Sequence, residues 1–174
     1  MMKLGLMSLL LLCPLSWFII GTEDTITVEP PIPNFPTALG PTFVDTFTFE
    51  GVIIPPAYLE EEFGYSLDIT WTPTSEQILA MDAGVAVFLS DSEHPMLGGF
   101  EVPVWDRLDE YKRHYYGLTI DDDNVIHAEY YCDTFDDDWW KQPLIVADGG
   151  ACFFRFDYNP ATDTYFNLSV NGMA

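Results

Sequence analysis

The residues best suited to chemistry lie on one face of a predicted strand at 125–132. His127, Glu129 and Tyr131 follow one another there at two-residue spacing, and alternate side chains of a strand point to the same face. An imidazole, a carboxylate and a phenol side by side can bind sugar hydroxyls or act as an acid and a base. The alternative interpretation is an ordinary solvated face of a sheet.

Signatures of hydrolytic enzymes are otherwise missing from the sequence. Gly-x-Ser-x-Gly, His-Glu-x-x-His and phosphate-loop motifs do not occur. A retaining glycosidase needs two carboxyl groups about 5 Å apart, whereas the face of His127 carries one, Glu129. A polysaccharide hydrolase or lyase that uses these two residues is therefore the last of the functions that we consider.

Two clusters of acidic residues flank this strand. Residues 121–124 read Asp-Asp-Asp-Asn, and a second cluster follows the strand and contains Asp133, Asp137 and Asp138. Converging carboxylates on loops are ligands for Ca²⁺, and a bound cation relieves the repulsion between adjacent acids. We expect calcium at the second cluster, with these three aspartates as ligands. A solvated run of charge is the alternative, because neither cluster has the spacing of an EF-hand.

Trp139 and Trp140 directly follow the second acidic cluster. An indole offers a large apolar face, on which the C–H face of a pyranose ring can stack. Trp139 beside a calcium loop is therefore a candidate sugar platform. Burial of at least one of the two indoles in the core is the alternative.

The beginning of the chain predicts export. Lys3, an apolar run over 4–20 and Gly21 have the layout of a secretory signal peptide at 1–21. An uncleaved membrane anchor is the alternative, although Pro14 interrupts the run. Five prolines at 22–42 predict an extended lead-in. We expect a secreted or surface-displayed protein that touches a membrane only if the first segment is not cleaved.

Export also explains the cysteines. Cys13 would leave with the signal peptide, so that Cys132 and Cys152 remain as an even pair. In an oxidising compartment such a pair predicts a structural disulfide. Asn167 begins an Asn-Leu-Ser triplet, which is a glycosylation acceptor sequence if the source is eukaryotic.

Composition limits the partners. The 174 residues include 28 acids and six Lys or Arg, which gives a net charge of −22. This charge excludes nucleic acid and anionic membrane surfaces as partners, because like charges repel. It favours cations such as Ca²⁺ and neutral ligands such as sugars. Hydrophobic residues make up 48% of the chain, which is enough to build a folded core.

Alternating polar and apolar residues dominate the remainder of the chain and predict an all-β domain at 43–174. Short helical turns are expected only at 75–81 and 106–113. The pattern favours an antiparallel β-sandwich or jelly roll. About nine candidate strands carry this prediction: 43–50, 65–71, 84–89, 100–105, 116–120, 125–132, 143–147, 151–158 and 164–170.

In the same order, several segments resemble the concanavalin A-like sandwich, especially legume and other L-type lectins. The similar segments are Phe47-Thr48-Phe49-Glu50-Gly51, the run at 82–89, Gly98-Gly99-Phe100, Tyr131-Cys132-Asp133-Thr134-Phe135, and the closing strands at 153–158 and 165–172. The resemblance implies that Asp82 contacts sugar and that Gly99 lies in a glycine-rich sugar loop. It also implies that Asp133 lies where a strand leads into a calcium loop. In that loop, Asp137 takes the place of an Asn ligand.

These observations rank the possible functions. The first is a lectin-like module, secreted or displayed on the cell surface, that binds a glycan or glycoprotein with the help of Ca²⁺. Its ligand-binding residues would be Asp82, Gly99, His127, Glu129 and Trp139. The alternative is a structural or adhesive extracellular coat protein with no small ligand, and its acidity would then serve solubility and ion bridging between copies.

Overall fold

The computed structural model describes residues 40–46, 48–63, 69–99, 101–134, 137–141 and 143–173. The predicted signal peptide and almost all of the predicted lead-in lie outside these residues. Within them, no helix has the length and the apolar character needed to cross a membrane.

The described strands form one mixed sheet. Its order is β1-β2-β4-β5-β6-β7, and β3 pairs with β4 beside β2. The β2–β4 pairing is parallel, whereas the other pairings are antiparallel. The strands are Thr42–Asp45 (β1), Glu50–Ile53 (β2), Ile69–Trp71 (β3), Lys112–Ile120 (β4), Asp123–Tyr131 (β5), Phe153–Asn159 (β6) and Thr164–Val170 (β7).

Three helices and several 3-10 turns accompany the sheet. The helices are Pro56–Phe63 (α1), Ser75–Asp91 (α2) and Pro95–Gly98 (α3). The 3-10 turns are Val104–Asp106, Leu108–Glu110, Trp139–Lys141 and Gly150–Cys152.

Helix α2 begins at a capping box. The Thr74 hydroxyl accepts a hydrogen bond from the Gln77 amide at 3.3 Å, and the Gln77 side chain accepts one from the Thr74 amide at 2.9 Å. The buried residues of the helix recur at helical spacing, so that they form one apolar stripe: Ile78, Met81, Val85 and Leu89. This stripe packs into the same core cluster as Ile126, Ala128 and Tyr130 of β5. Helix α2 therefore covers one face of the sheet.

The other face of the sheet has a smaller core. Val52, Ile54, Leu59, Ile69 and Tyr116 are buried together there, and the indoles of the turn Trp139–Lys141 pack against them. Because Tyr115 belongs to the first cluster and Tyr116 to the second, β4 alternates between the two cores as a strand buried on both faces must.

The sheet-rich prediction is confirmed, but the predicted second sheet is not found among the described residues. The segment 84–89, predicted as a strand, lies within α2. The predicted strand at 143–147 has no regular structure. None of the described residues of the predicted strand at 100–105 is in a strand, and its end lies in the 3-10 turn Val104–Asp106. The predicted helical turn at 106–113 gives way to strand at Lys112. The covering layer is thus a helix, because the apolar residues of 78–89 line up at helical spacing rather than every second residue.

Gly84 does not break α2, because its missing side chain makes room for a neighbour. A Cβ atom at this position would lie 2.5 Å from the hydroxyl oxygen of Tyr165. The same hydroxyl donates a hydrogen bond to the carbonyl of Met81. Gly84 therefore permits the close approach of β7 to the helix.

The predicted disulfide is confirmed. Cys132 and Cys152 are bonded, with their Cα atoms 4.9 Å apart. The bond joins the end of β5 to the start of β6.

Further along the sheet, the pairing of β6 with β7 shifts register between Arg155 and Asp157. The shift lies near Asn167, whose φ is 53°.

Candidate functional site

A cavity of about 370 Å³ lies on the sheet face opposite α2. Its floor consists of outward-facing side chains of β4, β5 and β6, and the segment 143–146 forms a wall. Most of the lining is apolar or aromatic, and four lining residues are polar: His127, Glu129, Arg155 and Asn171. Largely apolar clefts with a few convergent polar groups are the usual form of small-molecule sites.

His127 lies between two carboxylates. Its Nδ1 is 2.6 Å from Oδ1 of Asp157, which is its direct partner across the β5–β6 ladder. Its Nε2 is 3.7 Å from Oε1 of Glu129. The side-chain amide of Asn167 donates to the other oxygen of Asp157 at 2.7 Å. The imidazole is therefore held in one orientation, and a protein carboxylate faces each of its nitrogens.

This pairing keeps the imidazole protonated. Burial alone would lower the pKa of His127, but the hydrogen bonds to Asp157 and Glu129 outweigh burial and raise the pKa to about 9. Burial would raise the pKa values of Glu129 and Asp157, but hydrogen bonds from His127 and other neighbours lower both. An imidazolium between two carboxylates is therefore the resting state at neutral pH.

A second histidine, His114, is linked to Glu129 through the phenol of Tyr131. The phenol of Tyr131 donates to Glu129 and is 3.2 Å from Nδ1 of His114, which is 3.1 Å from the phenol of Tyr116. Burial lowers the pKa of His114 to about 4 and raises the pKa values of both tyrosines well above 10. These three groups are neutral at physiological pH, so that they supply hydrogen bonds rather than charge.

Arg155 is the lining residue that carries a positive charge without a salt bridge among the described residues, although its charge helps to lower the pKa of Asp157. Five Lys or Arg side chains are described, and four of them lie within 4.0 Å of a carboxylate: Arg107, Lys112, Arg113 and Lys141. No such ion pair is found for Arg155 among the described residues, although Glu129 is its direct partner on β5.

The structure brings together two of the five predicted ligand-binding residues, His127 and Glu129. Asp82 lies in α2, where it forms an ion pair with Arg113, and the sheet separates it from the cavity. Gly99 follows α3 and is exposed. Trp139 is half-buried and stacks on His114, with ring centroids 5.5 Å apart. Its indole packs against the cluster that contains the lining residues Ile69 and Tyr116, but Trp139 itself does not line the cavity.

The predicted calcium ligands are exposed. Asp138 lies 2.8 Å from the ammonium of Lys141, and Asp133 and Asp137 lie on the surface. Over the described ranges, no three His, Cys, Asp or Glu side chains are grouped so that they could hold a metal ion. Residues 135 and 136 lie outside those ranges, and calcium binding stays a prediction, as does glycosylation at Asn167.

Sequence reasoning did not include several residues of the site. Arg155 and Asp157 belong to β6, and the alternation of that strand places them on the same side. Their meeting with Glu129 and His127 depends on the register of β5 against β6, which the pattern of a single strand does not contain. The apolar run at 143–147 predicts a buried strand, and this pattern gives no sign that the segment forms the wall of a cavity.

Comparisons with known proteins add no identification. The chain matches no family model, and no curated protein or solved structure is similar enough to it to count as a match. The resemblance to concanavalin A-like lectins is thus untested by them.

The raised pKa of His127 predicts a loss of stability at alkaline pH. Its folded-state pKa of about 9 exceeds the unfolded value of about 6.5. The stabilisation is therefore fully present below about pH 6.5 and is lost as the pH rises through 9. The full shift corresponds to about 3 kcal/mol, which partial exposure of the ring reduces to ~2 kcal/mol.

Urea unfolding over this pH range, compared between the native chain and His127→Gln, measures the effect. The variant should show a flatter dependence of its free energy of unfolding on pH. Parallel curves for the two proteins would contradict the assignment of this pH dependence to His127.

Proposed function

We propose that this protein is a binding module that takes a small amphipathic molecule into the cavity on the β4–β6 face. The observation that carries the proposal is the lining itself, in which apolar side chains surround a fixed set of polar groups. The volume of about 370 Å³ falls within the range of about 300–1,000 Å³ that is usual for ligand pockets.

Binding agrees better with the geometry of His127 than acid–base catalysis does. A general base must reach the proton that it removes, but both ring nitrogens of His127 already face Asp157 and Glu129. Such an arrangement favours a rigid polar surface against which a ligand can be positioned. The positive charge of the imidazolium in turn offsets the negative charges of Asp157 and Glu129.

Filling the cavity should weaken binding. Leu118 lines the cavity, and Leu118→Trp would place an indole where the ligand is expected. We expect at least a tenfold weaker affinity for 1-aminoanthracene, a neutral dye whose emission increases in apolar surroundings. Fluorescence titration measures the affinity, and circular dichroism checks that the variant is folded.

Leu79→Trp is the matched control. Leu79 is 46% exposed and belongs to α2, on the other side of the sheet, so that the same substitution there should leave dye binding unchanged. Val146→Trp, in the wall, gives a second cavity-filling variant. Dye binding that is absent in the native chain, or that persists in both cavity variants, would refute the proposed function.

Carbohydrate recognition is the second candidate function. His127, Glu129 and Arg155 beside two tyrosines are groups that can bind hydroxyls and cover a sugar ring. The predicted lectin-like sandwich and the predicted calcium loop belong to this candidate. A glycan array, run with and without a calcium chelator, tests both.

A further inference from the structure

We propose that the ligand of this cavity is a small apolar carboxylic acid, and that its carboxylate binds the guanidinium of Arg155. This inference rests on the proposed function and adds the chemical class of the ligand. Its basis is a cation in the cavity lining that makes no ion pair within 4.0 Å among the described residues, in a chain that is rich in acids.

Arg155 would be expected to pair with its neighbours. Glu129 lies opposite it in the sheet, and Asp157 lies two residues away on the same side of β6. Both carboxylates have closer partners, however, since Glu129 accepts from Tyr131 and Asp157 contacts His127 and Asn167. The charge of Arg155 helps to lower the pKa of Asp157 without forming a close ion pair among the described residues. Arg155 lines the cavity and is exposed, so that its guanidinium donors are accessible to a ligand. A carboxylate is the group that they bind best, through two parallel hydrogen bonds.

The apolar part of the lining determines the remainder of the ligand. Ile69, Leu118 and Phe153 border the cavity together with Leu144 and Ile145 of the wall. Ile145 is 94% exposed, and an apolar chain or ring inserted beside it would shield it from water. A sugar in this position would bury hydroxyls against side chains that cannot pair with them, which costs free energy.

The wall is anchored so that it can contact such a ligand. The side-chain amide of Asn171 donates to the carbonyls of Val146 and Asp148 at 2.6 Å and 3.1 Å. These bonds hold the wall beside the cavity. The apolar body of the ligand would lie between the wall and the strands, with its acidic end at Arg155.

The net charge of −22 does not exclude an anionic ligand. At physiological ionic strength, exposed charges more than about 8 Å apart are largely screened. The groups in contact with the ligand therefore dominate its affinity. Around the cavity, the charges of Glu129 and Asp157 are balanced by those of His127 and Arg155, so that the local charge is close to zero.

The test compares an acid with its amide. Octanoate and octanamide differ in charge but have nearly the same shape, and each is used to displace 1-aminoanthracene from the native chain near pH 7. We expect octanoate to bind at least tenfold more tightly than octanamide. In Arg155→Gln the two affinities should become equal, whereas Lys141→Gln, which removes a positive charge elsewhere, should keep the preference for the acid.

The outcomes separate this inference from the proposed function. Equal affinities for acid and amide in the native chain, or a preference that survives in Arg155→Gln, would overturn the inference while dye binding leaves the proposed function intact. A native chain that does not bind the dye would overturn both. Displacement of the dye by methyl glucoside but by neither octanoate nor octanamide would overturn the inference in favour of carbohydrate.

Discussion

Replacing Asp82 with asparagine is expected to lower the free energy of unfolding by about 3–5 kcal/mol. Asp82 is the carboxylate partner of Arg113, whose side chain is only 2% exposed. The guanidinium lies between the rings of Phe49 and Tyr130, 3.9 Å and 4.8 Å from their centroids, and donates to the carbonyl of Leu108 at 2.9 Å. Without Asp82, a positive charge would remain buried with no counter-charge beside it.

Denaturant unfolding measures the loss, and Glu110→Gln is the control. Glu110 pairs with Arg107 at 3.4 Å on the surface, and removing an exposed pair costs about 0–1 kcal/mol. The double variant Asp82→Leu, Arg113→Met should recover part of the stability, because it removes both charges together. Equal losses in Asp82→Asn and Glu110→Gln would show that the buried pair is not needed.

The second large effect concerns the disulfide. Replacing Cys132 and Cys152 together with serine should lower the free energy of unfolding by about 3 kcal/mol, since the bond closes a loop with a sequence separation of 20. The residues next to the cysteines, Tyr131 and Phe153, both line the cavity. We therefore expect weaker dye binding in the folded variant as well.

Chemical denaturation and dye titration of the double-serine variant measure the two effects. The native chain treated with a reducing agent is the control, because it loses the bond without a change of sequence. The reduced native chain and the variant should behave alike. Unchanged stability in both would refute the role assigned to the bond, and a loss in the variant alone would assign the effect to the substitutions.

Strand β5 shows how much of the structure its own sequence could predict. The alternation in 125–132 correctly divided Ile126, Ala128 and Tyr130 from His127 and Glu129, because a strand between two different environments has a period of two. The same pattern assigned Cys132 to the buried set, whereas Cys132 is exposed and lies one residue past the end of the strand. The local pattern was sufficient within the strand because each residue's environment follows from its position in the strand alone.

Helix α2 shows where the same reasoning failed. The run at 85–89 is apolar and rich in β-branched residues, and Gly84 precedes it, so that both features indicated a strand after a break. The spacing of Ile78, Met81, Val85 and Leu89 was the better signal, and the cap at Thr74 supported it. Tertiary packing against the sheet outweighed local propensity.

The candidate site depends on pairings that are distant in sequence. The alignment of β5 with β6 and the contact of His127 with Asp157 join segments whose separate patterns do not indicate each other. Arg155 gains its significance only when the partners of the other four described basic side chains are known. Composition could predict an acidic chain, but it could not predict which of the described cations lacks a close acidic partner.

Strand β7 ends the strand order of the sheet, and one of its sides has no strand neighbour among the described residues. An uncovered strand of this kind can serve as a template for the strand of a second molecule. Here the register shift beside Arg155 and the left-handed backbone of Asn167 interrupt the row of backbone donors and acceptors. An incoming chain would therefore meet a broken row, which discourages fibre-like polymerisation along this border.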